Sequence, residues 1–392
     1  MTVTGPCNAP RVVDVVALGE SMVTFLPSRP GRLADVPSFD RGIGGAESNV
    51  ACALAAAGHA VRWVSRVGAD GFGDHLVEAI GSYGVDVASV RRDPARPTGV
   101  YFRTAADRAT AAHEVAYYRA GSAASVMAVG NVDLAAARAG RVLHLTGITA
   151  ALSGDCLALL RELTAPRPGR PLISFDVNHR PGLWRGTDGP RVLLELARAA
   201  DVVFVGEDEA EVAWGVTGGP TAIREVLPEP AVVVVKQGAR GATAFAGIGE
   251  GVRDGEWGGA ARSAGLRLRR DGGRAHRLRP TPAPAPGVAP PSTVTFVSAP
   301  AVQVSAAVGA GDAFAAGFLS ATLRGLSVRD RLRHGHLMAA AALTAPGDLA
   351  VPPTRAHADR LAALDDQAWE TLRLGPGWIQ TLEGADEEVR TP

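Results

Sequence analysis

Short β-branched runs recur along this chain, each leading into a stretch with helical spacing. That alternation constrains the fold more than any other feature. VVDVVALGE (12–20), VRWVSRVG (61–68), RVLHLTGI (141–148), PLISFDVN (171–178), DVVFVGEDEAE (201–211) and AVVVVKQG (231–238) read as buried strands. GGAESNVACALAAAG (44–58) is a glycine turn feeding an alanine-rich helix that stops at Gly58, and DGFGDHLVEAIGSYG (70–84) is a helix ending on glycine. GVYFRT (99–104) and HEVAYYRAGSAAS (113–125) have alternating, aromatic strand character. Strands separated by helices predict an α/β fold: a mostly parallel sheet with helices on both faces. Ligands of such sheets bind beyond the carboxyl ends of the strands. Asn178, Glu209, Lys236 and Gly238 stand at those ends.

The 392 residues, 46% of them apolar, suffice for one large domain or two modest ones. Net charge is formally zero, which points neither to nucleic acid nor to an anionic membrane. Cys7, Cys52 and Cys156 are scattered and lack metal spacing, as expected in a reducing cytoplasm. Neither a signal-peptide pattern nor an apolar run of transmembrane length is present. Lys236 is the only lysine among 40 basic residues. Residues 247–292 break the alternation. They are rich in Gly, Arg, Pro and Ala, and TPAPAPGVAPP (281–291) reads as polyproline-like or disordered. A flexible surface insertion and an anion- or partner-binding arm are both open readings. Strand order resumes at STVTFVSAPAVQV (292–304).

The stretch VGAGDAFAAGFL (308–319) places two glycines and a carboxylate at the mouth of a helix. Asp312 is either an ordinary helix-start residue or a general base beside an anion-binding turn of free N–H groups at Gly309, Ala310 and Gly311. Upstream, Gly45 permits close backbone approach to a ligand, and Asn49 offers a donor and an acceptor. Arg119, after Tyr117-Tyr118, and Arg180, after FDVNH, could grip a carboxylate in bidentate fashion; either alone could equally be a solvated surface arginine. VVVVKQGARGATAF (232–245) delivers Lys236 into a turn from Gly238 to Gly241, which suits either nucleotide phosphates or a plain hairpin. Walker, zincin and Ser-His-Asp patterns are absent from the sequence. Phosphoryl transfer fits these residues best, because it needs positioning, Mg²⁺, donors and a base.

Taken together, these pieces resemble the PfkB (ribokinase-like) carbohydrate kinases from about residue 13 to about 355, interrupted by the 247–292 insertion. GGAESNVACALAAAG is similar to the family's first signature and VGAGDAFAAGF to its second, with VVKQGARGA between them. A narrower likeness, in PTGVYFRT, YYRAGSAAS, HLTGITAALS and FDVNHRPGLW, is to the 2-keto-3-deoxygluconate kinases, which use ATP and Mg²⁺ to phosphorylate a keto-deoxy sugar acid. The resemblance implies a ribokinase-like domain over 1–375, a small β-lid from about 18–43 and 97–120, and a C-terminal tail from 376. It implies Asp312 as base and Gly309, Ala310 and Gly311 as anion hole. Gly45, Asn49, Tyr101, Tyr117, Arg119, Arg180 and Asp348 would line the sugar-acid site. Asn178, Lys236, Gly238, Gly241 and His336 would face ATP, and Glu209 would organise Mg²⁺ through water. A homodimer or higher oligomer through the lid is a further implication.

The departures are specific. Ala306 and Ala307 replace the family's Asp-Thr or Asp-Pro, so the resemblance does not carry a monovalent-cation site to this chain. Gly206 stands where an Asn usually opens the Glu209 motif, and His336 where an Asn lies near the adenine. The insertion falls in the ATP-side region. Rival readings are another sugar kinase of this family, such as a fructokinase, and a non-catalytic sugar and nucleotide sensor.

Overall fold

The computed structural model describes residues 10–29, 31–104, 114–184, 188–247, 292–306, 308–345, 347 and 349–379. Ala307, Asp348, the body of the insertion and the chain from 380 lie outside the described residues. Elements are labelled β1 (Val13–Leu18), β2 (Met22–Pro27), β3 (Phe39–Gly44), α1 (Ala46–Ala56), β4 (Val61–Val64), β5 (Val100–Arg103), β6 (Val115–Tyr118), β7 (Gly140–Thr146), β8 (Leu172–Asp176), β9 (Val202–Gly206), α2 (Glu207–Trp214), β10 (Val232–Lys236), β11 (Gly241–Gly247), β12 (Ser292–Ser298), α3 (Ala310–Leu323) and α4 (Val328–Leu343).

The apolar runs form an eight-stranded sheet in the order β12-β11-β10-β9-β8-β7-β1-β4. The strands from β4 to β10 pair in parallel, and β11 and β12 close one edge as antiparallel strands. Continuous apolar runs form central strands because both faces are buried. In β9, Val202 and Phe204 enter one core and Val203 and Val205 the other. The first core is roofed by α1, α3 and α4. The second is roofed by the helices Gly154–Thr164 and Gly189–Ala199.

A second, four-stranded sheet has the order β3-β2-β5-β6. Its register sets Phe25 beside Phe102 and Thr24 beside Tyr101, which in turn faces Tyr117. One face is therefore aromatic: the Phe25 and Phe102 rings stack with centroids 4.6 Å apart, and Phe39 and Tyr118 meet Phe102 edge-on. The opposite face carries Thr24, Tyr101 and Tyr117.

Most strands end a residue or two before the runs read from periodicity, and three segments depart further. The run 201–211 is strand only to Gly206; helix α2 starts at Glu207 because the Glu209 carboxylate reaches back to accept the Gly206 N–H at 2.7 Å. In 113–125, the strand is confined to Val115–Tyr118, and a turn at Gly121 (φ 73°) leads into a short 3₁₀ segment. The run 61–68 splits at Ser65, and Arg66–Gly68 pairs with Arg91–Asp93 instead of extending β4. The insertion leaves and re-enters at Gly247 and Ser292, a register pair beside Ala231. That is the strand-start end of the sheet, opposite Lys236.

Helices α3 and α4 cross closely because glycine stands at the contact. A Cβ on Gly317 would overlap the His334 carbonyl oxygen and lie 2.8 Å from the Met338 Cγ; one on Gly335 would lie 2.9 Å from the Phe314 ring. Replacing Gly317 by alanine should destabilise the fold by about 1–3 kcal/mol through overpacking, read as a lower urea midpoint at unchanged slope. An unchanged midpoint would show that the helices part without cost.

Candidate active site

The helix α3 begins at Gly309, whose φ of 78° lies in the left-handed region that favours glycine. No side chain caps this end, and the Gly309 carbonyl accepts the Ala313 N–H at 2.9 Å. The first N–H groups of a helix have no partner within it, so those of Ala310, Gly311 and Asp312 are available to an anion. A Cβ on Gly311 would meet only the Lys236 Nζ, at 3.5 Å, within 4 Å. The turn thus forms a cradle bounded by an ammonium.

Asp312 does not cap this helix. It lies in the first turn, and its Oδ2 accepts from Asn49 Nδ2, on α1, at 2.9 Å. Burial pushes its carboxyl up to about 7; Asp176 pushes the same way, while the Asn49 hydrogen bond, Lys236 and Arg180 oppose. A carboxylate with that affinity can take a proton near neutral pH.

Asp176, at the end of β8, is missing from the sequence-based site. Its carboxylate, 2% exposed, holds Lys236 Nζ at 3.0 and 3.1 Å. Two residues on, among the described residues, Asn178 has the only positive φ of a non-glycine, 40°, and its Oδ1 is buried without a hydrogen-bond partner. Such strain is typical of ligand-binding positions. Arg180 is half exposed, with Nη1 3.0 Å from the His179 carbonyl and 3.5 Å from Glu209 Oε1. Glu209 therefore spends one oxygen on its own helix start and shares the other with Arg180.

Arg119 is not a surface arginine. Its guanidinium pairs with Glu20, a 2% exposed carboxylate that also accepts from Ser122 Oγ at 2.6 Å. It also lies 5.9 Å from the centroid of the Tyr117 ring. Tyr101 is buried and Tyr117 is exposed, their rings 5.4 Å apart. Gly45 starts α1, where a Cβ would lie 2.8 Å from the Ser21 Cα, so glycine lets α1 close on the β1–β2 turn. Contacts thus run continuously from Arg119 and Glu20, past Gly45 and Asn49, to Asp312.

Glu47 is a second residue that sequence reading missed. It lies against Gly19, 1% exposed, and its Oε1 accepts from Thr146 and Thr149 at 2.8 and 2.6 Å. Its Oε2 is buried without a hydrogen-bond partner among the described residues, and burial pushes the carboxyl up to about 7. The one available signal was its place two residues after the glycine pair.

Gly238 (φ 59°) and Gly241 (φ 140°) turn β10 into β11, so the plain-hairpin reading describes the backbone there. His336 faces inward: its ring nitrogen meets the Val297 carbonyl at 3.1 Å, its ring packs edge-on against Phe314, and burial lowers its pKa to about 4. Asp348 lies outside the described residues. Among the described residues, no group of three or more His, Cys, Asp or Glu could hold a metal ion, and no helix is long and apolar enough to cross a membrane.

A family model described as pfkB family carbohydrate kinase matches residues 13–256 and 289–355. The chain is 32% identical over 348 residues to the 2-dehydro-3-deoxygluconokinase of Bacillus subtilis, covering 88% of this chain and 93% of that protein. The crystal structure of a PfkB protein from Polaromonas is similar with a TM-score of 0.68 at 32% identity, over 90% of this chain and 100% of that one. An uncharacterised sugar kinase from Pyrococcus horikoshii, crystallised in complex with ATP, shares the fold with a TM-score of 0.68 at 22% identity, over 91% and 100% of the two chains.

Proposed function

Because the chain belongs to the pfkB family of carbohydrate kinases, we propose that it phosphorylates the terminal hydroxyl of 2-keto-3-deoxygluconate with ATP, giving 2-keto-3-deoxy-6-phosphogluconate. One observation carries the reading: Asp312 is oriented by Asn49 and holds its proton near neutrality beside a cradle of free N–H groups. Asp312 removes the proton of the attacking hydroxyl. The N–H groups of Ala310, Gly311 and Asp312 and the Lys236 ammonium stabilise the charge that develops at the transferring phosphoryl group. ATP supplies that group, and Mg²⁺ offsets its charge.

The residues present fit these cofactors. The glycine cradle leaves room for phosphoryl oxygens, and Lys236, Asn178 and the Gly238–Gly241 turn stand at the same strand ends. A cation lacking a protein-built cage suits Mg²⁺, which keeps waters and binds largely through phosphate oxygens; Glu209 would act through water. The four-stranded sheet is read as the lid over the sugar, presenting Tyr101 and Tyr117, and as the surface for self-association. Asp348 remains a substrate contact by resemblance. Arg180 and Arg119 meet the substrate carboxylate, Arg119 with the Nε that has no hydrogen-bond partner among the described residues.

A second reading has its own observation. Glu20 already neutralises Arg119, which suits a neutral sugar, as in a fructokinase. ADP release with ATP and Mg²⁺ on 2-keto-3-deoxygluconate, 2-keto-3-deoxygalactonate, fructose and ribose separates the two. Turnover confined to the keto-deoxy acids is expected. Turnover on fructose or ribose would discard the arginine clamp. Ligand-induced stabilisation without turnover would favour a sensor.

A further inference from the structure

An ammonium drawn mostly out of water needs a counter-charge, and Lys236, its side chain 19% exposed, lies in the field of three carboxylates: Asp176 on β8, Asp312 on α3 and Glu209 on α2. Asp176 takes both short contacts, at 3.0 and 3.1 Å, while the same Nζ stays 3.5 Å from the Cβ position of Gly311. Asp312 instead takes its hydrogen bond from the neutral Asn49. We propose that Asp176 is a positioning residue: it holds the Lys236 ammonium at the Gly309–Gly311 cradle and keeps it out of an ion pair with Asp312. The inference rests on Asp312 as base.

The division of labour follows from competition. Were Lys236 to close on Asp312, the base would be neutralised as an acceptor and the cradle would lose its cation. Held by Asp176, one cation serves the phosphoryl group and leaves the base free. The charged groups that act on Asp312 are Asp176, Lys236 and Arg180.

Lys236 is the only lysine, so a ¹³C-lysine label on the full chain gives one side-chain NMR signal. Asp312→Asn should leave that signal in place in the parent background but move it in the Asp176→Asn background, where Lys236 is free to pair with Asp312. A large move in the parent background would mean that Lys236 already pairs with Asp312 and would overturn the proposal. That arm needs only the Asp312→Asn protein, so it holds even where Asp176→Asn does not fold.

¹³C-aspartate titration of Asp312 gives the second readout. Asp176→Asn should lower its midpoint more with Lys236 present than in the Lys236→Met background. Equal shifts would leave only direct repulsion between the two aspartates and overturn the positioning role. Turnover should fall about 10²-fold in Asp176→Asn with little change in sugar KM. These NMR results stand whether or not Asp312 is the base; full turnover by Asp312→Asn would sink that assignment separately.

Discussion

Replacing Asp312 by asparagine should lower turnover by roughly 10²–10⁴-fold without lowering the melting temperature, since the amide also removes a carboxylate that burial disfavours. Asparagine keeps an oxygen for the Asn49 amide, 2.9 Å away in the parent, and removes only the ability to accept a proton. The same residue sets a pH dependence. Its carboxyl titrates near 7, so the deprotonated base is lost as pH falls through neutrality. Turnover should then drop about tenfold per unit on the acid side. Near-normal turnover in the variant, or a flat profile from pH 5 to 8 in the parent, would remove Asp312 from the chemistry.

Glu47→Gln should stabilise the protein at alkaline pH and do much less at acid pH. The buried carboxyl titrates at about 7, against 4.5 for an unperturbed glutamate. Between those values the unfolded chain ionises while the folded protein holds its proton. Folded stability therefore falls as pH rises from about 4.5, and the full penalty, roughly 3 kcal/mol, is in place above 7. Glutamine keeps the acceptor for Thr146 and Thr149 and carries no charge. Urea midpoints of variant and parent should diverge between pH 5 and pH 8; a gap of equal size at both would show that Glu47 is stabilised as an ion.

Local sequence carried the strands and the glycine-led start of α3 well. Val202–Val205 and Val232–Val235 can be buried on both faces only in a central strand, and Gly309 marks a backbone that few other residues adopt. Long-range pairing was not legible. Asn49 and Asp312 are 263 positions apart, and neither carries a signal for the other. Asp176 reads as a polar residue inside an otherwise apolar strand, and only the parallel register of β8 to β10 through β9 brings it to Lys236. Glu20 reads as the polar end of β1, so Arg119 looked free when a buried partner already held it. The boundary at Glu207 was missed because a helix start with an acidic first turn resembles a polar strand end until Glu209 closes on Gly206.

The pairing of Gly247 with Ser292 has a consequence for how this chain tolerates change. Two strand ends already pinned side by side close whatever lies between them. The entropy of such a closure grows only with the logarithm of length, about 0.6 kcal/mol for each doubling. The junction is also separated from the Lys236 end of the sheet by the seven residues of β11, roughly 20 Å of strand. It is where this kinase can lengthen, shorten or host a grafted module at the lowest thermodynamic cost, because the register of the flanking strands is fixed on both sides of it.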